Sequence, residues 1–231
     1  MTEKFGLLDE ISYSQLRDAI RRYNSEPSFQ EPNGDPLYLE TIKKRDVWDA
    51  FDEISLDNVI NVVLGFLNKW KCRISYACAS ELRTALQKTS NLIHLLKDER
   101  TEIQTVDFDK TVGTSGKSVK KIIREIFDVL SKVRAGRKTV GFTATTKIMH
   151  MGFPNLFVMC DEKIREKYGC AGNREGYLNF MRRMQKATRR LTEEKTKVEI
   201  CEELHHSDRD FTKILDEYNY YTITWQNSVH A

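Results

Sequence analysis

The chain is poor in the residues that interrupt or staple a fold. It has four prolines and eleven glycines in 231 residues, and few strict apolar–polar alternations. That scarcity argues against a sheet architecture and predicts a mainly helical protein. No apolar run approaches the roughly eighteen residues a spanning helix needs. The segment MTEKFGLLDEI has neither a basic start with a long apolar stretch nor a cleavage site. Together these absences predict a cytoplasmic or nuclear location and no membrane contact. Five cysteines, at 72, 78, 160, 170 and 201, are odd in number and lack CxxC spacing, which points to reduced thiols and away from a disulfide framework or zinc ribbon. His205-His206 stands in no ligand pattern, so no metal is expected.

What is present is ordinary in amount and uneven in placement. With 40% apolar and 31% charged residues, the disordered and collagen-like classes are excluded. The net charge is only +3, yet Lys117 to Arg190 holds eighteen Lys or Arg against six Asp or Glu, leaving −9 for the rest. A surplus of twelve on one segment is enough to neutralise several phosphates, the sequence-independent part of nucleic-acid affinity. The same side chains also serve simply to solvate helices.

Apolar spacing places the helices. One is expected around Tyr13–Tyr23, followed by the loop SEPSFQEPNGDPL, whose three prolines and Asn-Gly pair separate it from the body as an appendage. Val47, Phe51, Ile54 and then Val59, Ile60, Val63 and Leu64 recur at helical spacing, with Ser55 as cap of the second run. Further helices are predicted over Ala77–Leu96, Val119–Val133, Tyr177–Leu191, Val198–His206 and Phe211–Tyr218. The stretch TVGTSGKS in 111–118 looks like a phosphate-binding loop. It has Thr111 where that motif needs glycine, so a helix start capped by Ser115 or Ser118 is expected instead.

The segment Gly136–Gly169 carries the chemistry. Gly136 and Gly141 bracket a turn bearing Arg137 and Lys138, supplying both backbone freedom and charge for a phosphate. A helix from Phe142 to about Met151 follows, stopped by Gly152 and Pro154. After the apolar run Leu156–Cys160, Asp161 opens the DEKIREKYG helix, twenty residues beyond Gly141. A carboxylate there serves equally as an N-cap. Lys147 lies one turn beyond Thr143 on the same helical face, where it can act as an amine nucleophile if desolvated or as a phosphate contact. His150 sits one turn further, as a proton carrier or a structural group. Trp48, Trp70, Tyr76 and Trp225 are candidate stacking platforms or core residues.

This layout resembles the helix-hairpin-helix DNA glycosylases, over about 35 residues. The resemblance implies an all-α fold of two helical lobes around a cleft: an N-terminal helix and Pro-rich loop in 1–37, a first lobe in 38–110, the hairpin lobe with its basic surface in 111–191, and C-terminal helices in 192–231 packing on the first lobe. It implies double-stranded DNA as partner, held by Gly136, Arg137, Lys138, Gly141, Thr143, Lys120 and Arg165, and hydrolysis of the N-glycosidic bond of a damaged base. In that chemistry Asp161 stabilises charge on the sugar or orients water, with Lys147 as the second candidate. Bifunctional relatives carry a nucleophilic lysine about two residues after the last hairpin glycine; here that residue is Thr143, which implies a monofunctional enzyme. The family hairpin usually has two glycines separated by one residue, whereas this chain reads Thr139-Val140-Gly141. Relatives with an iron–sulfur cluster carry four closely spaced cysteines after the aspartate; this chain has Cys170 and Cys201 there, so no cofactor is expected. A non-catalytic nucleic-acid adaptor and a helical module for an acidic protein partner are the alternatives.

Overall fold

The computed structural model describes residues 6–32, 34–193 and 195–225. Asn33 of the Asn-Gly pair and the first five residues of the N-terminal segment lie outside the described residues. The chain is mostly helical, as its composition predicts. In order, the helices are α1 (Tyr13–Ser25), α2 (Asp35–Ile42), α3 (Arg45–Asp49), α4 (Leu56–Asn58), α5 (Gly65–Lys69) and α6 (Ala79–Asp98). There follow α7 (Val119–Ser131), α8 (Gly141–Gly152), α9 (Glu162–Lys167), α10 (Arg174–Leu191), α11 (Lys197–Glu203) and α12 (Phe211–Asn219). A π-helical stretch, Val59–Leu64, joins α4 to α5, and Ser55 caps this run by accepting from the Asn58 N–H. A second π-helical stretch, Tyr220–Trp225, extends α12.

α1 is not the appendage its flanking loop suggests. A capping box of Ser12 and Gln15 starts it, and Tyr13, Leu16, Ala19, Ile20 and Tyr23 are all buried. The stripe packs against α12, so the proline loop allows the chain to turn back on itself rather than detach. Just before α1, buried Asp9 pairs with Arg183 of α10 at 3.0 Å. Buried apolar residues from every part of the described chain form one connected cluster.

The segment before α7 also differs from expectation. Thr111–Val112 (β1) pairs antiparallel with Lys117–Ser118 (β2), and Gly116 turns the ribbon with a φ of 64°. Ser118 precedes α7 but makes no side-chain cap. The Val119 N–H donates instead to the Lys110 carbonyl, because the ribbon already brings an acceptor to the helix start. From there Ile122, Ile123, Ile126, Phe127 and Leu130 pack α7 against α6, α8 and α10.

Candidate functional site

α7 and α8 are joined by a β-ribbon, not a single tight turn. Arg134–Ala135 (β3) pairs with Lys138–Thr139 (β4), leaving Gly136 and Arg137 as a two-residue loop. Gly136 has a φ of 71° at the first loop position, where hairpin turns of this length need a left-handed residue. Gly141, φ 72°, then starts α8. Two antiparallel pairs, Arg134 with Thr139 and Ala135 with Lys138, close this hairpin, and buried Val140 anchors it through its N–H to the Val133 carbonyl at 2.9 Å. Arg134, Arg137 and Lys138 are exposed, and none has an ion-pair partner among the described residues. Exposed Tyr76 lies on a turn packed beside β3.

Other predicted phosphate contacts have company inside the chain. Lys120 pairs with Asp109. Arg165 donates to the Cys170 carbonyl at 3.0 Å, approaches Glu166 at 3.1 Å and lies over the Phe142 ring. Thr143 is half-buried, and its carbonyl accepts from the Thr146 hydroxyl.

Lys147 and Asp161 are brought to one place by their neighbours. The single hydrogen of the fully buried Thr146 hydroxyl is shared between the Thr143 and Cys160 carbonyls, each 3.0 Å away, and its oxygen accepts from the Cys160 N–H at 3.1 Å. One hydroxyl thereby ties the residue before Lys147 to the residue before Asp161. His150 Nδ1 and the Phe157 carbonyl are 2.7 Å apart, and the Tyr177 hydroxyl donates to the Val158 carbonyl, so the segment Leu156–Cys160 is pinned along its length. His150 Nε2 lies 3.0 Å from the Tyr38 hydroxyl. Burial pushes His150 down to about 3, against the opposing pull of the Phe157 carbonyl, so the ring is neutral and structural.

Asp161 is the N-cap of α9. Its Oδ1 accepts from the Ile164 N–H at 2.8 Å and its Oδ2 from the Thr224 hydroxyl at 2.8 Å. The Lys147 ammonium donates to the Trp70 carbonyl at 3.2 Å, stands 3.6 Å from the Cys72 sulfur and lies 5.0 Å from the Trp70 ring centre. Both side chains line a cavity of about 300 Å³ whose walls include Phe29, Trp70, Tyr220 and Trp225. Of the four stacking candidates, Trp70 and Trp225 reach it; Trp48 is core, with its indole N–H on the Thr41 carbonyl.

Among the other charged residues of the cavity lining are Lys213 and Asp216, neither of them a candidate on sequence grounds. Lys213 of α12, 2% exposed, has its ammonium 3.2 Å from Asp216, 3.4 Å from Glu217 and 3.7 Å from Asp35. Tyr23, Tyr38 and Trp70 surround it at 5.2 to 5.8 Å. Burial opposes its charge, but the three carboxylates outweigh that and push its pKa up. For Asp216 the balance reverses: burial raises it to about 6, only partly offset by the Lys213 ammonium. Glu217 is held low despite burial by Lys213, His206 and Arg209. The signal for this cluster was Lys213, Asp216 and Glu217 at i, i+3 and i+4, which share one face of α12.

Among the described residues no group of three or more His, Cys, Asp or Glu could hold a metal ion. All five cysteines are free thiols. No helix among these residues is long and apolar enough to cross a membrane. Comparisons with protein-family models, with curated proteins and with solved structures find no match to this chain.

Proposed function

We propose that this protein binds duplex DNA through the α7–ribbon–α8 unit and hydrolyses the N-glycosidic bond of a damaged base received in the cavity of Lys147 and Asp161. The observation that carries the reading is the meeting of these two residues, fourteen apart in sequence, in one aromatic-walled cavity. An extruded base needs flat apolar walls for stacking and polar groups at its edge, and both are present. In this reading the unit is a helix-hairpin-helix with a lengthened hairpin, between two helical lobes. Arg137 and Lys138 meet the phosphate backbone, and Asp161 stabilises positive charge on the sugar or aligns water. Lys147, already donating to the Trp70 carbonyl, acts as a fixed positive charge and not as a nucleophile.

A panel of duplexes carrying oxidised, deaminated or alkylated bases tests the chemistry. Wild type is expected to release one class of base, Asp161→Asn to release none, and borohydride to trap no adduct. An adduct that disappears in Lys147→Gln would instead make Lys147 the nucleophile. A second reading, a DNA-binding adaptor without chemistry, draws support from Asp161 itself, since both of its carboxylate oxygens are already engaged. Binding without release from any lesion would favour it.

A further inference from the structure

Folding redistributes the basic surplus of the second half of the chain. Lys117 pairs with Glu125, Lys120 with Asp109, Arg124 with Glu175, Arg174 with Asp128, Arg165 with Glu166 and Arg183 with Asp9. Apart from the ribbon, the outer face of α10 stands out. Arg182, Lys186, Arg189 and Arg190 are all exposed and recur at i, i+4, i+7 and i+8, while Met181, Met184, Ala187, Thr188 and Leu191 are buried on the other side. Among the described residues none of these four cations has a carboxylate at ion-pair distance.

The arginines are held without being neutralised. The Arg182 guanidinium lies 5.7 Å from the Phe108 ring centre, Arg189 Nε donates to the Gln104 carbonyl at 2.9 Å, and Arg190 Nη1 to the Asp9 carbonyl at 3.4 Å. With Gln185 the four line an open groove of about 450 Å³, in which Glu193 is the one carboxylate among the described residues. Asp109 is near enough for Arg182 to help hold its carboxyl low, but its hydrogen bond is to Lys120, the main cause.

The stripe and the ribbon lie at different ends of α10. Asp128, late in α7, meets Arg174, and Phe108, whose carbonyl binds the Lys120 N–H early in α7, meets Arg182, so the two helices run antiparallel. The ribbon continues past the Arg174 end. Lys186 is twelve residues the other way, ~18 Å along the axis at 1.5 Å per residue.

We propose that the outer face of α10 is a second nucleic-acid surface, taking the phosphodiester backbone of a strand separately from the ribbon. It rests on nucleic acid being the partner but not on any catalytic role for the cavity. Among the described residues the groove lining has charge and one amide, Gln185, and no aromatic or aliphatic anchor. Protein interfaces concentrate their energy in such anchors, whereas nucleic-acid interfaces are polar and strongly positive. The ~6 Å rise from Arg182 to Lys186 also falls near two base-pair steps measured along the duplex axis.

The test measures affinity for a duplex of about 30 base pairs across a salt series, since each phosphate the protein no longer neutralises lowers the log–log slope by ~0.9. The stripe variant carries Arg182→Gln, Lys186→Gln and Arg190→Gln; the ribbon variant carries Arg137→Gln and Lys138→Gln. A control with Arg21→Gln, Lys43→Gln and Lys88→Gln removes equal charge from other positions on the surface. The expected result is a slope reduced by ~2 to 3 in the stripe variant and near wild type in the control. Lys186→Glu, whose side chain anchors nothing, should weaken binding by itself if the triple variant folds poorly. An unchanged slope in the stripe variant with a reduced one in the ribbon variant overturns the second surface and leaves the proposed function standing. Loss in the ribbon variant and the stripe variant alike supports both. An equal fall in the control, no duplex binding by wild type at low salt, or stripe-dependent binding of polyglutamate but not of DNA overturns the inference.

Discussion

Asp161 is the N-cap of α9 and, in the proposed function, also the catalytic carboxylate, and substitution separates the two. Asn and Asp are comparable N-caps, whereas Ala loses the bond to the Ile164 N–H, so Asp161→Asn should leave stability nearly intact and Asp161→Ala should cost about 1 kcal/mol in denaturant unfolding. Base release should vanish in both. Activity surviving in Asp161→Asn would reduce this residue to its cap. The buried acid Asp216 gives a second prediction. Its native pKa of about 6 stands above the ordinary 3.8, so between those values the native state keeps a proton that the unfolded chain has released. Unfolding free energy from this group therefore falls as pH rises through that window. His150 works the other way: at about 3 against an ordinary 6.5, it stays neutral while the unfolded chain takes up a proton, so its contribution is present above pH 6.5 and lost as pH falls. The two partly cancel in wild type. Asp216→Asn should expose the His150 trend, its stability relative to wild type improving by on the order of 1–3 kcal/mol from pH 4 to pH 6.5. Parallel curves for the two proteins would show that Asp216 does not titrate there.

At the scale of elements, α1 and the Thr146 bridge are the decisive cases. Leu16 and Ile20 are fully buried in the common core, so Leu16→Ala or Ile20→Ala should cost about 2–4 kcal/mol, as much as Ile126→Ala in α7. A loss under about 0.5 kcal/mol would restore α1 to the status of an attachment. Thr146→Val keeps the shape but leaves the Cys160 N–H without its partner, at a cost of about 1–3 kcal/mol. Because that hydroxyl aligns the segment leading to Asp161, base release should fall further than the loss of folded protein explains, measured at a temperature where the variant is fully folded. Helix positions were legible from apolar spacing, since a 3.6-residue stripe is a local pattern: α6, α7, α10 and α12 begin and end within a few residues of expectation. The ribbons β1–β2 and β3–β4 were not, because two-residue strands carry no period to read.

Over the whole molecule, the connected core predicts one cooperative transition. Far-ultraviolet circular dichroism and tryptophan fluorescence should give coincident denaturant curves, even though Trp48 lies in the core and Trp70 at the cavity. Separate midpoints would mean that parts of the chain unfold independently. The charge asymmetry of the chain survives folding in altered form, with Lys117, Lys120, Arg124 and Arg174 among the paired cations and the ribbon and the outer face of α10 left open.

The sequence alone determined the helical class, most helix positions and the clustering of basic charge, because each depends on residue type and short-range spacing; Lys147 and Asp161 became candidates through the resemblance. Tertiary structure decided that those two share a cavity, that Lys213 and Asp216 join them, and which cations find carboxylates. Those outcomes depend on contacts between residues far apart in the chain, such as Asp9 with Arg183 and Asp35 with Lys213. Helical spacing can pair Lys213 with Asp216 and Glu217, but no local pattern encodes a partner distant in the chain, since that is fixed only when the packing of the apolar faces brings the two ends together.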